Sequence, residues 1–390
     1  MRKLLIVLVG LLLLFPFLAG LGLKYQYLAL IKLYNSQGYF HMDVAEYHLG
    51  WLHSEATLLV QEPQSNRFFT VKQHMTHYTA TVDSDVMVPA ENKWIKPLGN
   101  HPILQLQDKI FLNGEISTRY QSSGFDLLFP DQLMKVHVQG LLGHIQSWPQ
   151  KKSMQGSGKI VGTIFSEAGL EITIPTMDVT FDHTEGASGL WAGTNALSLP
   201  TVILREPDNE ILTLTNITIS GAHHENAGLL YGVRQLSVQN IAVGNEKIGP
   251  LFAQVSVQGL RASTIAELVK TYKNIAELRE ELIMHLPTIM TIGSSIRLDR
   301  FELVTPNGQL WMQAQISIPE HAAYVPQTFG DLLHLAHVKA SLRIPIPLAR
   351  QLQQLSVDAW VKAGYLSQDK NDYVTTIDFQ GGLWKVNGYP

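Results

Sequence analysis

Apolar and polar residues alternate one for one through long stretches of this chain, and a β-strand is the form that turns such a pattern into one dry face and one wet face. In Met312-Gln313-Ala314-Gln315-Ile316-Ser317-Ile318 the apolar residues hold the even positions. Val338, Ala340, Leu342, Ile344 and Ile346 repeat the pattern around Lys339, Ser341 and Arg343, and Leu170, Ile172 and Ile174 alternate with Glu171 and Thr173. Strands covered on both faces read instead as continuous apolar runs, so the expected sheet is largely antiparallel. Leu212 and Leu214 fall out of phase with Ile217 and Ile219, which predicts a bulge near Asn216. Turn chemistry at Asn113-Gly114, Glu185-Gly186, Pro207-Asp208-Asn209 and Pro306-Asn307-Gly308 separates the strands.

Arg2 and Lys3 precede a charge-free apolar run from Leu4 to Leu23. A helix over that run rises about 30 Å, the thickness of a bilayer's hydrocarbon core. The expectation is a membrane anchor bounded by Leu4 and Leu23, bent near Pro16, rather than a signal peptide cleaved after Gly22 with Gly20 and Gly22 as its small residues. Lys24 and Lys32 oppose Arg2 and Lys3, so the charge bias that sets orientation is small, and the short tail is placed inside.

Helical spacing is sparse. Ile265, Leu268, Val269, Tyr272, Ile275, Leu282, Ile283 and Leu286 form one apolar stripe, with Thr264 and Glu267 at capping-box spacing and Pro287 as the stop. Shorter helices are expected over Phe329 to His337 and Pro347 to Leu355. The class predicted is α+β and strand-dominated: an extended, largely antiparallel sheet with one long amphipathic helix and a few short ones, plus an N-terminal transmembrane helix. Its divisions are a cytoplasmic tail (1–3), the membrane helix (4–23), a strand-rich periplasmic region (24–260), the amphipathic helix (261–286) and a C-terminal strand-rich region with short helices (287–390).

Chemistry is harder to find. Charged residues make up 16% of the chain against about 25% in typical soluble proteins, and the formal charge is -4. No basic field exists to hold a phosphate backbone, so nucleic acid is not an expected partner. The absence of cysteine removes disulfides, thiolate metal sites and cysteine nucleophiles together.

Among 15 histidines, the pairs His74 and His77, His223 and His224 with Glu225, and His334 with His337 each fall short of the three or four ligands zinc requires. His223-His224-Glu225 reads as a loop between Gly221 and Gly228. Gly156-Ser157-Gly158-Lys159 has Ser153 and Ile160 where a phosphate loop needs glycine and a hydroxyl residue, and reads as a turn. No Gly-x-Ser-x-Gly elbow occurs, and acidic residues are too scattered to nominate a catalytic pair. Trp51 and Trp191, each beside a glycine, read as sheet or core packing, with a sugar or lipid contact as the alternative. No catalytic, cofactor-binding or metal residue is therefore nominated, and no cofactor is implied.

The order of several short motifs resembles the YdgA-like proteins, a family of bacterial envelope proteins built on a domain of unknown function. Tyr47, Gly50, Trp51, Ser54 and Ala56 resemble the family's tyrosine and its arginine-glycine-tryptophan-phenylalanine and serine run, with Leu49, Leu52 and His53 as departures. Gly189-Leu190-Trp191-Ala192-Gly193, Gly249-Pro250, Pro287 onward to Thr305-Pro306-Asn307-Gly308, and Tyr373, Gly381 and Val386-Asn387-Gly388 continue the likeness over nearly the whole chain. The resemblance implies an inner-membrane-anchored periplasmic protein and carries over no catalytic residue. Three functions stay open: non-enzymatic binding or scaffolding among envelope proteins, lipid or hydrophobic-ligand handling along an apolar groove, and an enzyme with an unfamiliar site.

Overall fold

A computed structural model describes residues 20–22, 24, 25, 27–29, 31, 32 and 35, and residues 41–389 except 62–67, 78, 89–94, 98–100, 112, 130–133, 168, 207, 208, 245, 272–274 and 352–356. Among the described residues, twenty-two strands form a large antiparallel sheet, and the chain divides into two compact units, Met1–Asp178 with Leu204–Asp208 and Val179–Ile203 with Asn209–Pro390.

The first unit is a meander of β1 (His41–Leu49), β2 (His53–Gln61), β3 (Phe68–Thr76), β4 (Thr81–Met87), β5 (Ile95–Pro97), β6 (Leu104–Ile110), β7 (Ile116–Ser122), β8 (Phe125–Phe129), β9 (Met134–Trp148) and β10 (Ser153–Glu167). A 3₁₀ turn, Pro149–Lys151, joins the last two. Neighbours in sequence pair in space from β1 to β4, then β4 with β6, β6 with β7 and β7 with β9. β9 pairs with β10 along its length and shares its other edge between β7 and β8. Period-two burial is plain on β2, where Ser54, Ala56 and Leu58 are buried and His53, Glu55 and Leu59 are exposed. Leu58 and Val71 pack with Ile31, and Ala56 packs with Met75 and Val82.

Gly156 and Gly158 lie inside β10, not in a turn. A Cβ at Gly143 or Gly158 would come within 2.4 or 2.3 Å of the Tyr120 hydroxyl oxygen, so both glycines leave room for that ring to lie across two strands. The Tyr120 hydroxyl donates to the Ser157 carbonyl at 3.2 Å, and burial raises its pKa. What resembled a fragment of a phosphate loop seats an aromatic side chain.

β11 (Leu170–Glu185) and β12 (Trp191–Glu206) contribute to both units. The second unit continues with β13 (Asn209–Asn226), β14 (Leu229–Val243), β15 (Glu246–Ile248), β16 (Leu251–Arg261), β17 (Met290–Thr305), β18 (Gly308–Ser317), β19 (His337–Pro345), β20 (Ser367–Asp369), β21 (Asp372–Gln380) and β22 (Leu383–Val386). Its order is β13-β14-β16-β17-β18-β19-β21-β22. Asn216 takes a left-handed φ of 51°, yet Thr215 still opposes Asn240 and Ile217 opposes Val238. The phase change is thus a local bend without an inserted residue, and the expected bulge is corrected to that.

The described helices of the second unit are short: α1 (Ala262–Thr271), α2 (Ile275–Met284), α3 (Leu286–Ile289), α4 (Phe329–Leu335), α5 (Ile346–Gln351) and α6 (Val357–Lys362). The single long amphipathic helix expected over 261–286 is contradicted: α1 to α3 replace it. A straight helix over 263–286 would run about 36 Å. In pieces, the segment brings Ile265, Leu268, Leu282 and Leu286 of the stripe, with Leu278 and Ile289, onto one cluster with Leu260, Met290, Ile318 and Leu332. Pro287 opens α3 rather than ending a helix, a first-turn position where its missing N–H costs nothing. Thr264 lies inside α1, so it is not a cap, whereas Thr328 and Asp331 form a reciprocal capping box on α4.

The expected membrane-spanning helix is likewise not found among the described residues. Among the described residues, no helix is long and apolar enough to cross a membrane. Leu4–Leu23 lies outside the described residues except for Gly20, Leu21 and Gly22, which are helical. The class is corrected to a strand-dominated, large antiparallel sheet with only short helices.

Candidate functional site

In the second unit, β13, β14 and β16 lie side by side with His223 opposite Gly232, Gly232 opposite Val257, and Arg234 opposite Val255. Directly opposed residues share a face. The positions His223, Gly232, Arg234, Val255 and Val257 therefore belong to one surface, and Leu230 and Val257 carry it into the cluster beneath the helices. α1 lies over that end: Ala262, Ala266 and Leu268 are buried, and Ile265 packs on the same cluster.

Beyond Leu268 the cover stops short. A trough of about 580 Å³ opens between Ile265 and Val269 of α1 and Val255 and Val257 of the sheet, with Leu190 and Trp191 completing its wall. Trp191, Val255 and Val269 remain 40%, 40% and 43% exposed around it. Its size is within the roughly 300–1,000 Å³ of small-molecule pockets, and its lining is predominantly apolar.

The segment that presents Trp191 is held by specific contacts. The Ser188 N–H donates to both Glu225 carboxylate oxygens at 3.1 and 3.2 Å, and its hydroxyl donates to one of them at 2.7 Å. A Cβ on Gly186 would sit 2.3 Å from that carboxylate. Gly193 adopts φ +149°, and a Cβ there would lie 1.9 Å from the Asp182 carbonyl oxygen, so β12 starts against β11 only with glycine at this position. His223 Nε2 lies 2.8 Å from the Trp191 carbonyl; since a carbonyl only accepts, this nitrogen carries the proton.

His183 adjoins His223 with ring centroids 5.9 Å apart, and its Nε2 is buried with no hydrogen-bond partner among the described residues. Burial and then the His223 charge lower its pKa, against an opposing contribution from Asp182, so the ring stays neutral near neutral pH. His223, His224 and Glu225 are strand residues of β13, not a loop. They alternate faces: His223 and Glu225 serve the Trp191 segment, while His224 stacks on Tyr231 at 5.3 Å.

The remaining histidine pairs do not converge. His74 stands 3.7 Å from Glu55, whereas His77 is buried and bonded to Ser54 Oγ at 2.8 Å and the Trp51 carbonyl at 3.1 Å. The carbonyl fixes the proton on His77 Nδ1, leaving Nε2 to accept from the Ser54 hydroxyl. This serine–histidine pair has the connectivity of a nucleophile and its base, but Ser54 is 1% exposed and His77 3%, so it ties the β1–β2 turn to β3 rather than meeting a substrate. α4 ends at Leu335, so His334 and His337 share no helix face. Among the described residues, no three His, Asp or Glu side chains are grouped to hold a metal ion.

The motif residues fall in separate places. Tyr47, Gly50, Trp51 and Ser54 belong to the first unit. Trp51 is 49% and Trp191 40% exposed, so of the sheet or core packing expected for them the core option is excluded. In the second unit Trp191 and Gly193 stand at the trough. Pro306 and Gly308 form the β17–β18 turn, where a Gly308 Cβ would meet Pro345 at 2.7 Å. Asn387 accepts from the Thr376 N–H at 2.9 Å and donates to the Gly364 carbonyl at 2.9 Å, and Gly388 follows at φ +83°. Arg234 and Val255 carried no sequence signal and Ile265 only a place in the helical stripe; they become a site only when β14, β16 and α1 are brought together.

Fold and site define a strand-dominated protein with an apolar trough between sheet and helix. The chain belongs to the family described as Bacterial protein of unknown function (DUF945), whose model matches residues 1–390. No curated protein and no solved structure matches it.

Proposed function

We propose that this protein is a non-enzymatic binding protein of the bacterial cell envelope, and that it holds the apolar part of a lipid in the trough of the second unit. The observation that carries the reading is the pairing of an apolar lining with exposure: Trp191, Val255 and Val269 surround about 580 Å³ of concave surface. Apolar side chains so placed gain about 25 cal/mol for each Å² that a ligand removes from water. No acidic side chain stands among the described residues of the lining. Resemblance to the YdgA-like proteins supports the envelope as the place of action, with the sheet outside the cytoplasm and lipid or other envelope proteins as partners.

Native mass spectrometry of the gently extracted full chain tests this. The expected spectrum contains a stoichiometric acyl-lipid adduct. A protein that is reproducibly empty after extraction from lipid-replete cells contradicts the proposal.

A further inference from the structure

Arg234 stands where the apolar lining of the trough gives way to solvent. Its side chain is exposed, and no carboxylate or other hydrogen-bonding side chain partners it among the described residues. It lines the trough beside Val255, its direct partner across the β14–β16 ladder. On the other side it faces Gly221, where a Cβ would lie 3.3 Å from Arg234 Cγ, so the missing side chain lets the arginine stem rest on β13. Glu225, the acidic residue two strand steps away on the same face, has its carboxylate spent on Ser188. A cation is thus held at the lip of an apolar trough, with no acidic side chain in the lining.

Resting on the function proposed above, we infer that Arg234 selects the head group: the occupant is a single-chain amphiphile ending in a carboxylate, a long-chain fatty acid. The chain satisfies Ile265, Val257 and Trp191, and the guanidinium receives the carboxylate through two parallel N–H donors. A neutral head forgoes that contact, and a cationic head is repelled. The volume, about 580 Å³, suits one chain laid along the helix.

The test uses the full chain loaded with the neutral dye Nile red, displaced in turn by laurate, dodecanol and dodecyltrimethylammonium. Laurate should displace the dye at about one tenth of the dodecanol concentration, a gap of about 1.4 kcal/mol, and the ammonium compound should be weakest. In Arg234→Gln, laurate should fall to the level of dodecanol while dodecanol is unchanged. Equal potency of laurate and dodecanol on the unsubstituted protein would overturn the head-group inference and leave the trough reading standing. So would a laurate preference that survives Arg234→Gln. If none of the three compounds displaces the dye, or the dye does not bind, the trough reading fails and this inference with it.

Discussion

Gly193→Ala is expected to destabilise the second unit by about 3–5 kcal/mol, combining backbone strain with a clash that no rotamer relieves. The alanine Cβ would stand 1.9 Å from the Asp182 carbonyl oxygen and within 2.9 Å of the His183 Cα. Both are main-chain atoms of β11, so relief requires the start of β12 to move away from its neighbour. Trp191 lies two residues before the clash, and its carbonyl holds His223. The variant should therefore lose the Trp191 wall of the trough as well as stability. Urea denaturation gives the first effect as a fall in midpoint, and Nile red binding gives the second. Against a typical domain stability of about 5–15 kcal/mol, such a loss leaves a substantial unfolded population. A midpoint within experimental error of the unsubstituted protein would show that the β11–β12 contact is not as tight as described.

Met290→Ala should cost about 2–5 kcal/mol, the range for truncating a fully buried side chain whose cavity collapses incompletely. Met290 is 0% exposed, opposes Leu260 across the β16–β17 ladder, and touches the cluster on which Leu268 of α1 and Leu332 of α4 rest. Ile265 and Val269 line the trough from α1, so a loosened cluster should weaken ligand binding without any change at the trough itself. Val255→Ala is the contrasting substitution. At 40% exposure its loss should cost well under about 1 kcal/mol of stability while still reducing apolar contact with a bound chain. Denaturant midpoints for the two variants, read beside dye affinity, separate support of the site from contact with the ligand.

Strand positions were readable from period two, but burial only in part: the runs at 170–174, 312–318 and 338–346 fall on β11, β18 and β19 apart from Ile318 and Ile346 at their ends, while Leu170 and Ile172, expected on a dry face, are exposed. The turn at Pro306-Asn307-Gly308 was readable for the same local reason, since its residues set their own backbone. Glycine misled where it served close approach instead of a turn. Gly158 admits Tyr120, and Gly221 admits the Arg234 stem, so segments that looked like loops are strand interior. The stripe over 263–286 placed Ile265, Leu268, Leu282 and Leu286 on the cluster but was wrong in its continuity and for the exposed Val269 and Ile283, because helical period does not record where a cluster requires the chain to bend. Of the trough, Leu190 and Trp191 were visible in a motif and Ile265 and Val269 in the helical stripe. Its other walls come from segments dozens of residues apart, and a pattern local in sequence does not encode their meeting.

Trp191 provides its own reporter for the occupied trough. Titration of the full chain with a dibrominated long-chain fatty acid, followed by tryptophan emission, should give saturable quenching that is largely abolished in Trp191→Phe, because bromine quenches only a ring in near contact. Absence of quenching, or quenching of equal depth in Trp191→Phe, would place the acyl chain elsewhere and contradict the trough as the binding site.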